Sequence, residues 1–345
     1  MSATRASRTL ATLAAEYWDS FLETYPVFAT SIGDPRFDDR LSDPTSAGRA
    51  AARARFAALL ARTGTIDPAA LDAEDAITLS ALRESLTTEV ADFDTGLADW
   101  NVDPMEGVPA FFLLLPDYQR LETPEDGAHM VARWREMASY TDQHVARLRR
   151  SLADGRVACR APGDRTLGIL EELLDGEVED WPLLAPLAEV GRLDGWTTTD
   201  RERFATGLRD AVTREIRPAL LRLRDALVTE ILPAARPFER PGMCQVPGGL
   251  EGYRLLIRYH TSLDLDPEAL HRTGLDEIAR IDAELASLAG RTIGAGSLAD
   301  ALTKLRGNPA LHFATREEVY QKAATSLARA TDAIPGWFGR LPVAP

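Results

Sequence analysis

The sequence predicts an all-α protein, built as an irregular array of many helices. Three observations support this class. Apolar residues recur every three or four positions along most of the chain, as one buried helix face requires. Helix-start signals, such as Thr123-Pro124-Glu125-Asp126, precede several of these stripes. No segment sustains the strict apolar–polar alternation of a half-buried strand.

In the first half of the chain, a helix ends near Glu23, before Tyr25-Pro26, and a turn-rich block follows to Asp43. Residues 46–62 read as a helix rich in Ala and Arg, and Asp67-Pro68 begins the next. Residues 100–116 are predicted to be irregular because they contain three prolines. The helix that starts at Thr123 has the clearest row of core-facing residues on one face: Val131, Trp134, Ala138, Thr141, Val145, Leu148 and Leu152.

In the second half, residues 165–174 form one predicted helix and a longer one starts near Thr198, with a kink at Pro218. Residues 232–249 are rich in Pro and Gly and predict a boundary between a helical lobe, 1–240, and a second helical segment, 241–345. Asp266 is a good cap for the following amphipathic helix. Ser297 caps another helix, and Thr315 a last one, with Glu318 completing a capping box.

Residues 248–261 contain the densest mixture of aromatic, basic and imidazole side chains. Period alone does not decide between helix and strand here, but the helical neighbours on both sides favour a helix. Tyr253, His260 and Thr261 combine hydrogen-bonding groups with an aromatic surface, and we take them as candidates for the wall of a substrate cleft. For His260 a second interpretation stays open, an imidazole hydrogen-bonded at the edge of a core.

The composition limits which partners the protein can bind and indicates where in the cell it resides. The 345 residues include 39 basic and 53 acidic ones, a net charge of −14, which argues against nucleic acid or an anionic membrane as the main partner. No apolar signal core follows the N-terminus, and no run approaches the ~20 apolar residues of a membrane span. The two cysteines, Cys159 and Cys244, lack metal-site spacing. We therefore expect a cytoplasmic protein.

Familiar catalytic motifs are absent from the sequence. It contains no HExxH, GxSxG, GxxxxGK or CxxC, and none of its five histidines lies three or four residues from another. The glycines at 294 and 296 fit a loose dinucleotide fingerprint, but a helix precedes them where a strand is required. The sequence also contains acidic clusters, such as Asp34, Asp38, Asp39 and Asp43. By default we interpret them as solvated surface; a functional acid pair or a cation site is the alternative.

The block Tyr25–Asp43, which reads Tyr-Pro-x-x-Ala-Thr-x-x-Gly-Asp-x-Arg-x-Asp-Asp-Arg-Leu-x-Asp, resembles the opening signature of the bacterial domain-of-unknown-function 885 family. The resemblance continues at Trp100-Asn101-Val102 and at Tyr259-His260-Thr261, and it reaches the tail at 338–342. It implies a helical zinc metallopeptidase of the gluzincin type, in which two imidazoles and a carboxylate hold zinc.

This chain departs from that pattern because the HExxH helix is missing. The resemblance therefore implies only the N-terminal, cleft-forming part of a metallopeptidase-like protein, continuing into a catalytic part outside the chain. No residue here takes a catalytic or metal-binding role, and zinc is expected only in the complete family protein. The implied substrate is a peptide or small amide, and the implied protein partner is a C-terminal half or a second copy.

A non-catalytic helical binding or scaffold protein is the alternative function. In either case we expect the isolated chain to hold no stoichiometric zinc and to hydrolyse no peptide. If it belongs to a larger domain, the stripe on the helix after Asp266 should be incompletely buried, an apolar groove should lie near residues 250–261, and the chain should self-associate.

Overall fold

Helix-capping side chains set many of the helix boundaries in the structure. The computed structural model describes residues 5–341. Thr123 and Thr197 each form a capping box with the aspartate three residues later. The helices, in chain order, are α1 (Arg5–Thr24), α2 (Pro26–Ser31), α3 (Ser46–Thr63), α4 (Ala73–Thr95), α5 (Ala110–Tyr118), α6 (Pro124–Ala153), α7 (Arg160–Asp175), α8 (Pro186–Val190), α9 (Thr198–Asp210), α10 (Arg217–Ala226), α11 (Gly249–Thr261), α12 (Pro267–Ile293), α13 (Leu298–Arg306) and α14 (Arg316–Trp337).

The all-α class is confirmed, since no strand forms between residues 5 and 341. The ambiguous stretch at 248–261 is a helix, α11, preceded by Gly248 in the left-handed region at φ 73°. The prediction of irregular structure up to Pro116 is wrong for its last part. Burial of Phe112 and Leu115 holds residues 110–118 as α5, with Pro116 inside the helix.

The long helix predicted from Thr198 forms as a continuous path to Ile231, but two of its segments are π-helical. Ala211–Ile216 is the first and ends one residue before α10, whose second residue is Pro218. A proline lacks an amide donor and crowds the preceding turn. The disturbance predicted at Pro218 therefore coincides with a widened turn just before it.

The chain divides into two compact units, Met1–Pro267 and Glu268–Pro345. The first unit contains two buried apolar clusters. The larger surrounds α6 and includes Trp134 and Met137, and the smaller joins α1, α3 and α4 through residues such as Leu13, Phe56 and Leu86. The structure groups residues 241–267 with this first unit, where α11 packs against α4. The division into domains at residue 240 stays a prediction.

The second unit consists of most of α12 together with α13 and α14. Thr315 caps α14 by accepting a hydrogen bond from the Glu318 amide, while the Glu318 carboxylate accepts from Ala314 rather than from Thr315. The apolar stripe of α12 is incompletely buried, as expected, with Leu275 and Ile278 more than half exposed. Within residues 5–341, no helix has both the length and the apolar character needed to cross a membrane.

Candidate functional site

A buried guanidinium on α6 orders the block Tyr25–Asp43. Arg133 is fully buried. Its Nε donates to the Arg40 carbonyl at 2.9 Å, and its Nη2 donates to the Phe37 carbonyl at 2.6 Å and to the Thr30 hydroxyl at 2.8 Å. Its Nη1 donates to the side-chain oxygen of Gln119. Because these acceptors come from several turns of the block and from the end of α5, one side chain holds them together.

The charge of Arg133 is balanced nearby. Asp38 lies 3.7 Å from its Nη2 and accepts a 2.5 Å hydrogen bond from Thr30. Burial lowers the pKa of Arg133 to about 10, against the opposing effect of Asp38 and Asp39, so the group stays charged at neutral pH. Asp38 is buried, which corrects the default interpretation of solvated surface for this one residue of the acidic cluster. In this block it has a structural role.

A cleft lies beside the block, between α1 to α6 and α11. It consists of two adjoining concavities of about 880 and 760 Å³ that share Tyr25, Ser42, Asp92, Glu106 and Phe111 in their walls. We call it the Tyr25 cleft. The smaller concavity is aromatic and acidic, and its further lining includes Phe21, Phe28, Glu89, Tyr118, Leu256, Tyr259 and His260. Such a mixture of apolar walls and a few convergent polar groups is typical of a binding site.

Two carboxylates on α4 give the smaller concavity its acidic character, whereas arginines such as Arg49 and Arg55 line the larger one. Glu89 and Asp92 are one turn apart, and Glu89 is buried. Burial, followed by a smaller effect of the Asp92 charge, raises the pKa of Glu89, although the hydrogen bond from Tyr25 opposes this. Burial also raises the pKa of Asp92, against the opposing charge of Arg49. The pair therefore holds protons to a higher pH than ordinary carboxylates.

Tyrosine hydroxyls complete the polar groups around this pair. The Tyr25 hydroxyl donates to Oε2 of Glu89 at 2.8 Å. Burial, and then the Glu89 charge, raise the pKa of both Tyr25 and Tyr259, so both hydroxyls remain protonated donors. The rings of Tyr259 and His260 pack edge to face with centroids 5.1 Å apart.

Contacts along α11 fix the position of Tyr259 and His260. Arg258 donates to both carboxylate oxygens of Glu84 on α4, at 3.0 and 2.8 Å. Gly252 allows close packing, because a β-carbon there would lie 3.1 Å from the Leu97 side chain. Both contacts hold α11 against α4 and the turn after it, and so place the two rings in the cleft.

The structure separates the three residues that the sequence grouped as a cleft wall. His260 lines the Tyr25 cleft, whereas Tyr253 and Thr261 are not among its lining residues. Tyr253 lies on the exposed surface of α11. The Thr261 hydroxyl donates to the Ile257 carbonyl at 2.6 Å and accepts from the Leu263 amide at 3.1 Å, so it shapes the end of the helix.

Sequence reasoning missed Glu89 and Asp92. A signal was present: Leu79, Leu82, Leu86 and Glu89 occupy one buried stripe of α4, so a glutamate continues an otherwise apolar face. A carboxylate at such a position requires a partner or a function. Tyr25 was quoted only as part of the family signature, and nothing in its spacing showed that it meets Glu89.

A buried histidine lies at the back of the larger concavity. His144 is buried on α6, and Arg147 Nη2 lies 3.1 Å from its Nδ1. Arginine can only donate, so Nδ1 accepts this hydrogen bond. Burial, together with the Arg147 charge, lowers the pKa of His144 to about 3. The imidazole is therefore neutral at physiological pH.

The residues described do not fit the zinc site that the family resemblance implies. Between residues 5 and 341, no group of three or more His, Cys, Asp or Glu side chains is arranged to hold a metal ion. Cys159 and Cys244 are free thiols. We derive no chemical step through zinc from this chain.

The protein is helical and has an open cleft, whose smaller concavity is aromatic and acidic. The sequence profile of the bacterial proteins of unknown function called DUF885 matches residues 26–345, and this chain belongs to that family. Because the match covers nearly the whole chain, it does not bear out the expectation that the resemblance concerns an N-terminal part only. No curated protein matches the sequence.

Two solved structures show the same fold at low sequence identity. The first, "the putative lipoprotein from Colwellia psychrerythraea", has a TM-score of 0.83 and 17% identity over 99% of this chain and 61% of its own. The second, "a putative lipoprotein of unknown function from Shewanella oneidensis", has a TM-score of 0.65 and 14% identity over 97% of this chain and 58% of its own. The chain thus spans about three fifths of each of these structures.

Proposed function

We propose that this chain provides the substrate-binding cleft of a metallopeptidase-like hydrolase, and that the Tyr25 cleft takes the ammonium group of a peptide or small amide. The observation that supports the ligand class is the pairing of Glu89 and Asp92, two poorly solvated carboxylates beside aromatic rings. In this proposal the chain binds and orients the substrate, and the hydrolytic groups are not among its residues.

An ammonium ion fits this site in two ways. It offers three N–H donors to acceptor-only carboxylates, in charge-assisted hydrogen bonds that are about twice as strong as neutral ones. The faces of rings such as Phe21, Phe28 and Tyr259 also attract cations. Burial penalises the ionised carboxylates of Glu89 and Asp92, and a bound cation offsets that penalty.

Matched ligands and variants test this proposal. A dipeptide amide with a free amino terminus should bind in isothermal titration calorimetry, and the same compound with an acetylated amino group should not. Asp92→Asn should weaken the binding about tenfold, as expected for the loss of one charge-assisted hydrogen bond. Glu230→Gln, at a carboxylate paired with Arg149 outside the cleft, is the control and should bind normally. Equal affinity for the free and acetylated compounds would rule out the proposal.

The metal content and activity of the purified chain are separate consequences. We expect no stoichiometric zinc after dialysis and no peptide hydrolysis, because an activated nucleophile or metal-bound water is needed for that reaction. One tightly held zinc per chain, or peptidase activity that copurifies with it and is sensitive to chelators, would contradict this.

A second candidate function is a non-catalytic scaffold, and the exposed apolar residues of α12 and α14 favour it. Ile278 on α12 and Trp337 on α14 are 59% and 83% exposed. Extended apolar surface of this kind commonly marks a contact with another protein. The partner would be a C-terminal half or a second copy of the chain. Light scattering checks this candidate, since a monomer at all concentrations would exclude a second copy as the partner.

The cytoplasmic location and the absence of nucleic-acid and membrane partners stay predictions. The two similar structures are named as lipoproteins, and those names do not fix where this protein resides. Cell fractionation with antibody detection tests the location directly, and recovery in the membrane fraction would contradict it.

A further inference from the structure

A second cavity of about 360 Å³ adjoins the Tyr25 cleft on the side where the larger concavity is itself lined by arginines. Its walls contain Arg49 and Arg53 from α3, Arg147 and Arg150 from α6, and Arg156 just after α6. We call it the arginine pocket. It shares Arg49, Phe93 and Arg147 with the larger concavity of the cleft. Five guanidinium groups around one cavity are unexpected in a chain whose net charge is −14.

The carboxylates nearby do not balance this charge. Arg53 is neutralised by Asp94, with hydrogen bonds of 2.6 and 2.8 Å. Asp154 lies 3.7 Å from Arg156. Asp99 is shared, at 3.7 Å from Arg49 and 4.0 Å from Arg147. Asp92 on α4 also interacts with the charge of Arg49. Four aspartates thus face five arginines, which leaves a surplus of one positive charge (5 − 4).

Arg147 is the most poorly compensated of the five. It is 7% exposed, and its Nε is buried without a hydrogen-bond partner. Its hydrogen bond to His144 is to a neutral acceptor, and the Asp99 carboxylate lies beyond hydrogen-bond distance. Burial is the main cause of its lowered pKa. A buried cation without a hydrogen-bonded anion is costly, and an anionic ligand in the pocket would remove that cost.

The surrounding groups hold the pocket in a form suited to an oxyanion. The Arg49 guanidinium lies over the Phe93 ring, 5.3 Å from its centroid. Arg150 donates to the Ser46 hydroxyl, which belongs to the first turn of α3. Three parts of the chain therefore converge on one cavity with donors and positive charge.

We propose that the arginine pocket binds a phosphate group, carried either by free inorganic phosphate or by a phosphate monoester. A phosphate anion meets this surplus of positive charge, and the planar guanidinium fork pairs well with phosphate oxygens. This site does not depend on the ammonium-binding function proposed for the Tyr25 cleft.

Calorimetry on the full chain at constant ionic strength, with chloride as the balancing anion, tests the proposal. Inorganic phosphate and glycerol phosphate are the two probes, and tighter binding of one identifies the source of the group. Arg150→Gln should weaken binding of the preferred probe about tenfold or more, because it removes one charged donor at the surface. Arg147→Met should abolish the binding. Arg222→Gln is the control, since Arg222 pairs with Asp142 outside the pocket.

Saturable binding that is weakened in Arg150→Gln and retained in Arg222→Gln supports the site. No saturable binding of either probe, or equal affinities in wild type, Arg150→Gln and Arg222→Gln, overturns it. The Arg150 comparison decides the matter even if Arg147→Met fails to fold, because Arg150 is exposed and Arg222 is a matched surface arginine.

Discussion

Arg133 and Arg147 are both buried on α6, but their charges are compensated differently. Arg133 has hydrogen-bond acceptors at Nε, Nη1 and Nη2 and a carboxylate nearby. Arg147 has a neutral imidazole as its acceptor, and its Nε is left without one. A buried charge with a complete set of partners stabilises architecture, while one with an incomplete set marks a place where a ligand can bind. The contrast separates the structural block at Tyr25–Asp43 from the arginine pocket.

Replacing Arg133 is expected to cause the largest loss of stability in this comparison. Arg133→Met should lower the free energy of unfolding by about 3–5 kcal/mol, because Asp38 and several carbonyl groups are left buried without their donor. Urea denaturation measures this. Arg222→Met, at an exposed ion pair with Asp142, is the control and should cost about 1 kcal/mol or less. A loss as small as the control's would show that the block does not depend on Arg133.

A smaller effect on the free energy of unfolding is expected from the titration of His144, the hydrogen-bond partner of Arg147. The pKa of His144 is lowered to about 3 in the folded chain. The unfolded state, with a pKa of about 6.5, therefore binds the proton first as pH falls. Stability from this group is present above pH ~6.5 and is lost towards pH ~3, at up to about 1.4 kcal/mol per pH unit.

Comparison with a variant isolates this contribution. Glu89 and Asp92 have raised pKa values and so act in the opposite direction over the acidic range, but they are present in both proteins. His144→Asn keeps an acceptor for Arg147 and cannot titrate, so its urea midpoint should depend less steeply on pH below ~6.5. Identical pH dependence in both proteins would contradict the buried, neutral imidazole.

The smallest effect on stability is expected at Arg147 itself. Arg147→Met should change the free energy of unfolding by less than about 1 kcal/mol without phosphate, because removing a poorly paired buried charge also removes its desolvation cost. Thermal unfolding measures the difference from wild type. A loss as large as that of Arg133→Met would show that the two arginines have the same structural role.

Local signals in the sequence were sufficient for most helices but not for every cap, since Asp67-Pro68 begins only a short turn and α4 starts at Ala73 behind Asp72. Thr123 and Ser297 act within one turn, and the stripes of α6 and α12 repeat over many turns, so no tertiary information is needed. The same logic failed at α5. Apolar burial there outweighs the three prolines that predicted irregular structure.

The site depends on distant residues, and a single sequence does not pair them. Tyr25 and Glu89 are 64 residues apart, and Arg133 meets Thr30 across 103 residues. A dense local mixture of side chains singled out His260, which does line the cleft, although its role in a site stays a prediction. Tyr253 was grouped with it on the same grounds, although only the packing of α11 on α4 decides which side chains enter the cleft.

If the Tyr25 cleft binds an ammonium group through Glu89 and Asp92, binding is linked to the ionisation of these two carboxylates. Because their pKa values are raised, they hold more protons in mildly acidic buffer than ordinary carboxylates do, and they must ionise to bind a cation. Calorimetry of the free-amino dipeptide amide in two buffers with different ionisation enthalpies counts the protons released. We expect the wild-type protein to release protons on binding, and we expect the Glu89→Gln, Asp92→Asn double variant to release none. No release, or proton uptake, by wild type would contradict it.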